Sequence, residues 1–263
     1  MKNIFEKIAE AQQAREDVAY CVIVRTKGST PREAGAKMLV YPDGRIFGTI
    51  GGGDLEKQVI ENAIGVLRKN KPSTFKHDLL HEHNMCCGGS VEIYIEPVMK
   101  KNKLYIFGAG HTGRALAKFA IELDFETVVI DDRKEYLDEI QLEHLNKLNM
   151  HYAQALPVLP FDQNTFVTIM TYSHPYDRDI LAYCLKKPFA YLGMIGSQRK
   201  VEMTKKMFEE GMIASPEELD RVDMPMGLEI GATDPAEIAI SILAKLIAVR
   251  NRVVIGEVET LDR

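Results

Sequence analysis

The stretch Lys103 to Arg133, KLYIFGAGHTGRALAKFAIELDFETVVIDDR, constrains the fold more than any other part of the chain. A short apolar run, Leu104 to Phe107, leads into Gly108-Ala109-Gly110-His111-Thr112-Gly113. A helical pattern follows, in which Leu116, Phe119, Ala120 and Leu123 are expected to share one face. A second apolar run, Val128 to Ile130, ends in Asp131-Asp132. Strand, glycine turn, helix, strand and acid are the parts of a dinucleotide-binding βαβ unit. Gly108 allows the tight turn, Gly110 lets backbone approach a phosphate, and Gly113 lets the helix pack close to the strand. The helix N-terminus offers free N–H groups and the positive end of its dipole to an anion. Asp131 follows Gly113 at roughly the ~20-residue spacing of a ribose-binding acid. A Rossmann-type domain is expected to start here. The same glycines would serve if they only permitted close packing and no nucleotide bound.

At 263 residues the chain can hold one large or two modest domains. Pro97 to Asn102, with its charge cluster, reads as a boundary. The expected architecture is α/β: a smaller N-terminal α+β domain over 1–99 and a Rossmann-like parallel-sheet domain over 100–263. A net charge of -5 argues against nucleic acid or an anionic membrane as partner. No apolar run approaches the ~20 residues needed to span a bilayer. The first residues, MKNIFEKIAEAQQARED, are charged throughout and lack a signal peptide's apolar core. A cytoplasmic location is therefore expected. Of the four cysteines, Cys21 and Cys184 lie in apolar runs and read as small buried hydrophobes. In a reducing cytosol no structural disulfide is expected.

Taken in order, residues 3–16 read as an amphipathic helix and Val18 to Val24 as a buried strand. The loop from Thr26 to Gly35 breaks all periodicity. Ala36 to Tyr41 and Arg45 to Ile50 form a hairpin around Pro42-Asp43-Gly44. Gly51-Gly52-Gly53-Asp54 opens a helix over about 55–67, with Asp54 as its expected N-cap and Val59, Ala63 and Val66 on its buried face. Thr74 to Leu79 is extended, and Val91 to Ile95 alternates as a half-buried strand. Beyond Arg133, residues 134–147 read as helix, 151–153 as a third strand, 165–170 as a fourth, 177–187 as helix, 189–192 as a fifth strand and 198–210 as a basic helix. Pro235 suits the first turn of a last helix capped by Asp234 or Thr233.

Three glycine-rich turns in the first domain invite a common reading. Gly28 to Arg32 offers the hydroxyls of Ser29 and Thr30 and the guanidinium of Arg32. Gly51, Gly52 and Gly53 sit at a helix N-terminus, where backbone N–H groups are free. Cys86-Cys87-Gly88-Gly89 adds a thiol on a glycine-flanked loop. An anionic ligand with a phosphate and a soft metal or sulfur centre suits the set. Hairpin and capping glycines in a small β domain would look the same. His81, His83, Cys86 and Cys87 have zinc-ligand chemistry, but their spacing matches no zinc module. In the second domain His174, with Asp177 or Asp179 to orient it, and the Gly193 to Ser197 turn, which includes Gly196, are placed at the carboxyl edge of the sheet, where ligands bind in this fold.

These blocks together resemble the XdhC/CoxI family of xanthine dehydrogenase accessory factors. GSTPREAGAKMLVYPDGRIFGTIGGGDLE is similar to the family's N-terminal signature, and MCCGGSVEIYIEP to the segment carrying its Cys-Gly-Gly. FGAGHTGRALAKFA is similar to its Gly-x-Gly-His loop, and YLGMIGSQRK and PMGLEIGATDPAEIAISI to its C-terminal blocks. The matches run in order from about Ala19 to Arg250. One departure stands out: where the family commonly has the first of two histidines after the fourth strand, this chain has Tyr172, while His174 and Asp177 are kept.

The resemblance implies a molybdenum cofactor chaperone. Such a protein binds the molybdopterin cofactor, holds it while a cysteine desulfurase supplies the sulfido ligand, and delivers it to a xanthine dehydrogenase-type molybdoenzyme. It implies that Cys87, or its neighbour Cys86, approaches the molybdenum. Ser29, Thr30, Arg32 and Gly51 to Gly53 are expected to hold phosphate or pterin from one side of a cleft between the domains. Gly108, Gly110, His111 and Gly113 are expected to close the other side or bind a dinucleotide. A homodimer would suit a chaperone that also presents a client-docking face. Two rival readings follow from the residues: an NAD-dependent oxidoreductase using the fingerprint, Asp131 and His174, and a nucleotide-sensing regulatory module.

Overall fold

The computed structural model describes residues 3–79, 88–123, 125–143 and 145–253. The chain divides into two compact units, Met1–Lys101 and Asn102–Arg263. No helix among the described residues is long and apolar enough to cross a membrane.

Unit 1 contains α1 (Ile4–Gln13), β1 (Val18–Lys27), β2 (Lys37–Val40), β3 (Ile46–Gly48), α2 (Gly53–Lys69), β4 (Ser73–Asp78) and β5 (Ser90–Val98). Its strands form one antiparallel sheet in the order β3-β2-β1-β5-β4. Strand alternation sends Cys21 and Ile23 of β1 and Val91, Ile93 and Ile95 of β5 to one face. There they meet Leu55, Val59, Ala63 and Val66 of α2. The helical stripe expected over 55–67 is thus the one that packs. Two expectations shift. The strand β1 runs on through Thr26 and Lys27, because β5 pairs with it as far as Lys27 opposite Ser90. The N-cap of α2 is Gly52 at φ 77°, not Asp54, which lies inside the first turn and pairs with Lys57 at 3.1 Å.

Unit 2 contains β6 (Lys103–Phe107), α3 (His111–Glu122), β7 (Glu126–Asp131), α4 (Lys134–Asp138), β8 (Asn146–Asn149), α5 (Tyr152–Ala155), a 3-10 turn over Leu156–Val158, β9 (Thr165–Ile169), α6 (His174–Cys184), β10 (Tyr191–Met194), α7 (Gln198–Glu210), α8 (Pro216–Leu219) and α9 (Pro235–Arg250). The sheet is parallel throughout, in the order β10-β9-β6-β7-β8. This is the Rossmann arrangement, an α/β fold with its topological switch between β6 and β9. Both faces are covered, so the strands are apolar on both sides. In β6, Leu104 and Ile106 join α3 and α9 in one core, while Tyr105 and Phe107 join α5 and α6 in the other. Asp234 caps α9 with Glu237 in a capping box.

The sequence periodicity misplaced several parts of this unit. The buried stripe of α3 is Gly113, Leu116, Ala117 and Ala120, and Phe119 lies off it, exposed. The helix expected over 134–147 stops at Asp138, and the third strand is the polar edge strand β8, not 151–153, which opens α5. An edge strand of Asn-Lys-Leu-Asn buries too little to leave an apolar signature. The fifth strand lies two residues later than expected, so Gly193 is strand rather than turn.

The helix α3 meets β6 by backbone contact. A Cβ on Gly113 would overlap the carbonyl oxygen of Gly108, whereas a Cβ on Gly110 would have nothing within 4 Å. Gly113→Ala should therefore destabilise unit 2 by roughly 2 kcal/mol or more, the range of core overpacking. Gly110→Ala should cost less than about 1 kcal/mol, the difference between a glycine and an alanine cap. Thermal unfolding of the two variants checks this, and equal losses would contradict the contact.

Candidate functional site

In unit 1 the glycine turns come together. Ser29, just beyond β1, forms a parallel bridge with Gly88, just before β5. A Cβ on Gly89 would overlap the carbonyl oxygen of Ser29 and lie 2.6 Å from that of Lys27. The end of the Cys-Cys-Gly-Gly segment therefore lies directly against the backbone leaving β1. Gly51, at φ 135°, is equally close on the other side, since a Cβ there would sit 2.7 Å from Cγ of Pro31. The Thr30 hydroxyl donates to the Arg32 carbonyl at 3.0 Å and closes the loop on itself. Ser29, Arg32 and Gly53 are exposed. Arg32 forms no ion pair with a described residue. Cys86, Cys87, His81 and His83 lie outside the described residues.

The N–H groups of this cluster are not all open, as the sequence led one to expect. Glu56, in the first turn of α2, reaches back to accept from the Thr49 hydroxyl at 2.6 Å, the Ile50 N–H at 3.3 Å and the Gly52 N–H at 3.2 Å. The Gly51 N–H donates to the Thr49 hydroxyl at 3.2 Å. The 49–52 turn is thus held from within by a carboxylate. A hollow of about 320 Å³ is lined by Arg25, Lys27, Lys76, Ser90 and Glu92, of which Lys27 and Ser90 each lie two residues along the chain from the Ser29–Gly88 bridge. Arg25 pairs with Glu92 at 3.6 Å, and Lys27 and Lys76 have no such partner among the described residues. None of Glu56, Arg25, Lys27 or Lys76 was singled out from sequence. Only the β1–β5 and β4–β5 pairings place these cations together.

In unit 2 the loops after β6 and β9 touch at the switch point, for a Cβ on Gly108 would overlap the Met170 carbonyl oxygen. Gly110 is the N-cap of α3 with no side-chain cap, and His111 is the exposed first residue of that helix. Asp131 is fully buried and engaged with protein donors. Its carboxylate accepts from the Ala109 N–H at 2.7 Å, from the Arg133 N–H at 3.0 Å and from both arms of the Arg133 guanidinium at 2.9 and 2.8 Å. The acid expected to bind ribose is instead a brace for the glycine turn. Burial works to raise its pKa, but the Arg133 guanidinium and the Ala109 and Arg133 N–H groups prevail and hold it below the ordinary carboxylate range. Arg133 is itself sandwiched between Tyr136 and Tyr172, its guanidinium carbon 3.9 and 4.1 Å from their ring centres.

Next to this brace lie two polar atoms that sequence reasoning missed. The Oδ1 of Asp132 and the hydroxyl of Tyr152 are buried and have no hydrogen-bond partner among the described residues. Burial, and then the Asp131 and Asp132 carboxylates, push the Tyr152 phenol up. The other Asp132 oxygen accepts from Tyr172 at 3.1 Å, so the tyrosine that departs from the family pattern packs over this edge. Further along, His174 Nδ1 stands 3.3 Å from Asp177 Oδ2. The buried Asp177 also accepts from the Thr171 hydroxyl at 2.6 Å and the Thr171 N–H at 3.0 Å. Burial pushes the Asp177 carboxyl up against the pull of those donors. Asp177, and not Asp179, orients His174. Gly196 lies just before Ser197, the N-cap of α7. Among the described residues, no group of three or more His, Cys, Asp or Glu is placed to hold a metal ion.

Two family models match the chain. Residues 104–246 match the XdhC Rossmann domain, and residues 11–78 match the XdhC and CoxI family. The chain belongs to the XdhC and CoxI family. Its relatives include the Escherichia coli protein YqeB, described as uncharacterized, at 35% identity over 95% of this chain and 46% of that protein. A Bacillus subtilis protein described as a probable xanthine dehydrogenase subunit is 26% identical over 63% of this chain and 48% of its own length. The chain thus spans about half the length of the curated relatives it matches. A crystal structure described as a xanthine dehydrogenase from Bacillus halodurans shares the fold, with a TM-score of 0.52, 24% identity and coverage of 94% of this chain and 96% of that one.

In this XdhC-family chain the Asp131 brace makes a pH-dependent prediction. Its depressed pKa means that its stabilisation is complete above the ordinary carboxylate range near about 4. The stabilisation is lost as pH falls through the lower, folded-state value. Asp131→Asn should cost roughly 2–4 kcal/mol at pH 7, since it leaves Arg133 without its partner. The gap from the parent protein should narrow on acidification. Urea unfolding of both proteins between pH 7 and pH 3 measures it, and a gap independent of pH would contradict the assignment.

Proposed function

We propose that the chain is a maturation factor that holds molybdopterin cofactor for a xanthine dehydrogenase-type molybdoenzyme. The observation that carries this reading is the convergence in unit 1. Ser29 and Gly89 meet backbone to backbone, Gly51 backs onto Pro31, and the hollow reached two residues on from Ser29 and Gly88 carries Lys27 and Lys76, which have no carboxylate partner among the described residues. A surface that leaves cations unpaired beside exposed backbone and hydroxyls suits a phosphate-bearing ligand. The Bacillus subtilis relative, by its description as a probable xanthine dehydrogenase component, supports the choice of client class.

The donor set fits the cofactor. Its phosphate would be held by Lys27, Lys76 and Arg32, with the Ser29 hydroxyl available to the polar edge of the pterin and the Thr30 hydroxyl, which donates to the Arg32 carbonyl, able only to accept there. Its metal centre is soft enough for a thiol neighbour, and two of the four cysteines are poorly placed to be one. Cys21 and Cys184 are buried, and burial pushes both thiols up to about 12. The thiol would come from Cys87, next in the chain to Gly88, or from Cys86. When bound, the cofactor supplies the redox-active metal that the client enzyme uses. The chain's own part is to grip the anionic end, to present a thiol to the metal, and to release to the client. A cysteine desulfurase is the expected sulfur donor.

In unit 2 we propose a dinucleotide site on the Gly108 to Gly113 turn, with the α3 N-terminus and His111 toward phosphate. The ribose role passes from Asp131 to Asp132 Oδ1 and the Tyr152 hydroxyl, buried atoms with no hydrogen-bond partner among the described residues. A sugar hydroxyl can donate to one and accept from the other.

The test is a molybdenum and pterin assay on protein purified from a molybdenum-replete host. Metal by mass spectrometry and pterin by fluorescence after oxidation should appear together in the parent protein. Lys27→Ala/Lys76→Ala and Cys87→Ala should each reduce retention roughly tenfold or more, with circular dichroism unchanged. Parent protein that carries no pterin and takes none up on reconstitution would overturn the reading.

A further inference from the structure

The carboxyl edge of the unit 2 sheet carries a second concave feature, separate from the glycine turn. A hollow of about 70 Å³ lies between α6 and α7, lined by His174, Asp177, Arg178 and Lys200, with Met194 and Met203 among its apolar walls. None of its lining residues belongs to Gly108 to Gly113. Its volume exceeds the ~10–15 Å³ that one water needs and suits a single compact group rather than a whole nucleotide.

The chemistry of the lining is unbalanced. Arg178 is half-buried and Lys200 exposed, and neither forms an ion pair with a described residue. A guanidinium that is partly withdrawn from water and pairs with no carboxylate among the described residues lacks the partner such groups usually have. The one acid present, Asp177, is already committed. Its oxygens accept from Thr171 and stand 3.3 Å from His174 Nδ1, and among the described residues neither cation is within ion-pair distance of a carboxylate. Two further features favour negative charge. His174 opens α6 and Lys200 lies in the first turn of α7, and the N-caps of both helices, Ser173 and Ser197, make no side-chain cap. The positive ends of two helices of 11 and 13 residues therefore border the hollow.

We propose that this hollow binds a phosphate group, gripped by Arg178 and Lys200 with the Asp177-oriented imidazole of His174 as a third contact. The site lies beyond β9 and β10, on the other side of the switch point from β7. It is therefore distinct from the pyrophosphate position at α3, and it does not depend on molybdopterin binding in unit 1. The phosphate can be free or the terminal group of a larger molecule, and the two sources give different affinities.

Calorimetric titration of the full chain with inorganic phosphate tests it, and titration with AMP is made in the Gly110→Val background, where the nucleotide site proposed at the glycine turn is blocked. Each should bind saturably. Arg178→Ala/Lys200→Ala, two positions outside the cores, should weaken both roughly tenfold or more through loss of charge-assisted hydrogen bonds, with an unchanged unfolding temperature. Gly110→Val, at the glycine turn, should leave inorganic phosphate binding intact. AMP binding at least roughly tenfold tighter than phosphate, with both lost in the double variant, would assign the group to a larger ligand. Equal affinities would assign it to free phosphate. No saturable phosphate binding by the parent protein, unaltered binding by the double variant, or loss of phosphate binding in Gly110→Val would overturn the proposal.

Discussion

Backbone-to-backbone contact at glycine is the constraint on which both units turn. In unit 1 the Gly89 backbone presses on the carbonyls of Lys27 and Ser29, and in unit 2 Gly113 presses on Gly108 while Gly108 presses on Met170. At each of these points an added methyl would meet a carbonyl oxygen and force the loops apart. The contacts fix how near the functional loops lie to one another, and so decide which side chains share a surface. Without the first, Ser29 and the segment ending in Gly88–Gly89 would be unrelated stretches of chain. Without the second, the loops after β6 and β9 would not close the switch point.

Carboxylates then hold these loops in shape. Glu56 braces the 49–52 turn, Asp131 the 108–110 turn and Asp177 the 171–174 turn, each by accepting from loop N–H groups. Acids are spent on the protein's own amides, where a charged acceptor strengthens the hydrogen bond. The cations near the same loops, Arg32, Lys27, Lys76, Arg178 and Lys200, are left without described partners. A chain with net charge -5 thereby presents local surfaces suited to anions. That division of labour, acids inward and bases outward, is the electrostatic content of the proposed sites.

The glycine spacing and the apolar runs around it made the βαβ unit of 103–133 readable, because local sequence determines local turn geometry there. The alternating run at 91–95 and the stripe Val59, Ala63 and Val66 were readable for the same reason. What could not be read was whatever depends on partners far off in the chain. Asp131 has the spacing of a ligand acid, and only the position of Arg133 and Ala109 shows where its oxygens go. Glu56 looks like any surface glutamate of a helix until it is seen folded back over Gly52. Lys27 and Lys76 lie in different strands and become neighbours through β5. The edge strand β8 was misplaced because it buries too little to mark itself by hydrophobicity.

The claim most exposed to test is that the three glycine turns of unit 1 act as one binding surface. Hydrogen–deuterium exchange of the chain with and without molybdopterin extracted from a mature molybdoenzyme addresses it directly. The account predicts that amides in 28–32, 51–54 and 88–90 slow together when the cofactor is added, at a common midpoint concentration. Protection confined to one of these segments, or appearing in none of them while the cofactor binds, would contradict it.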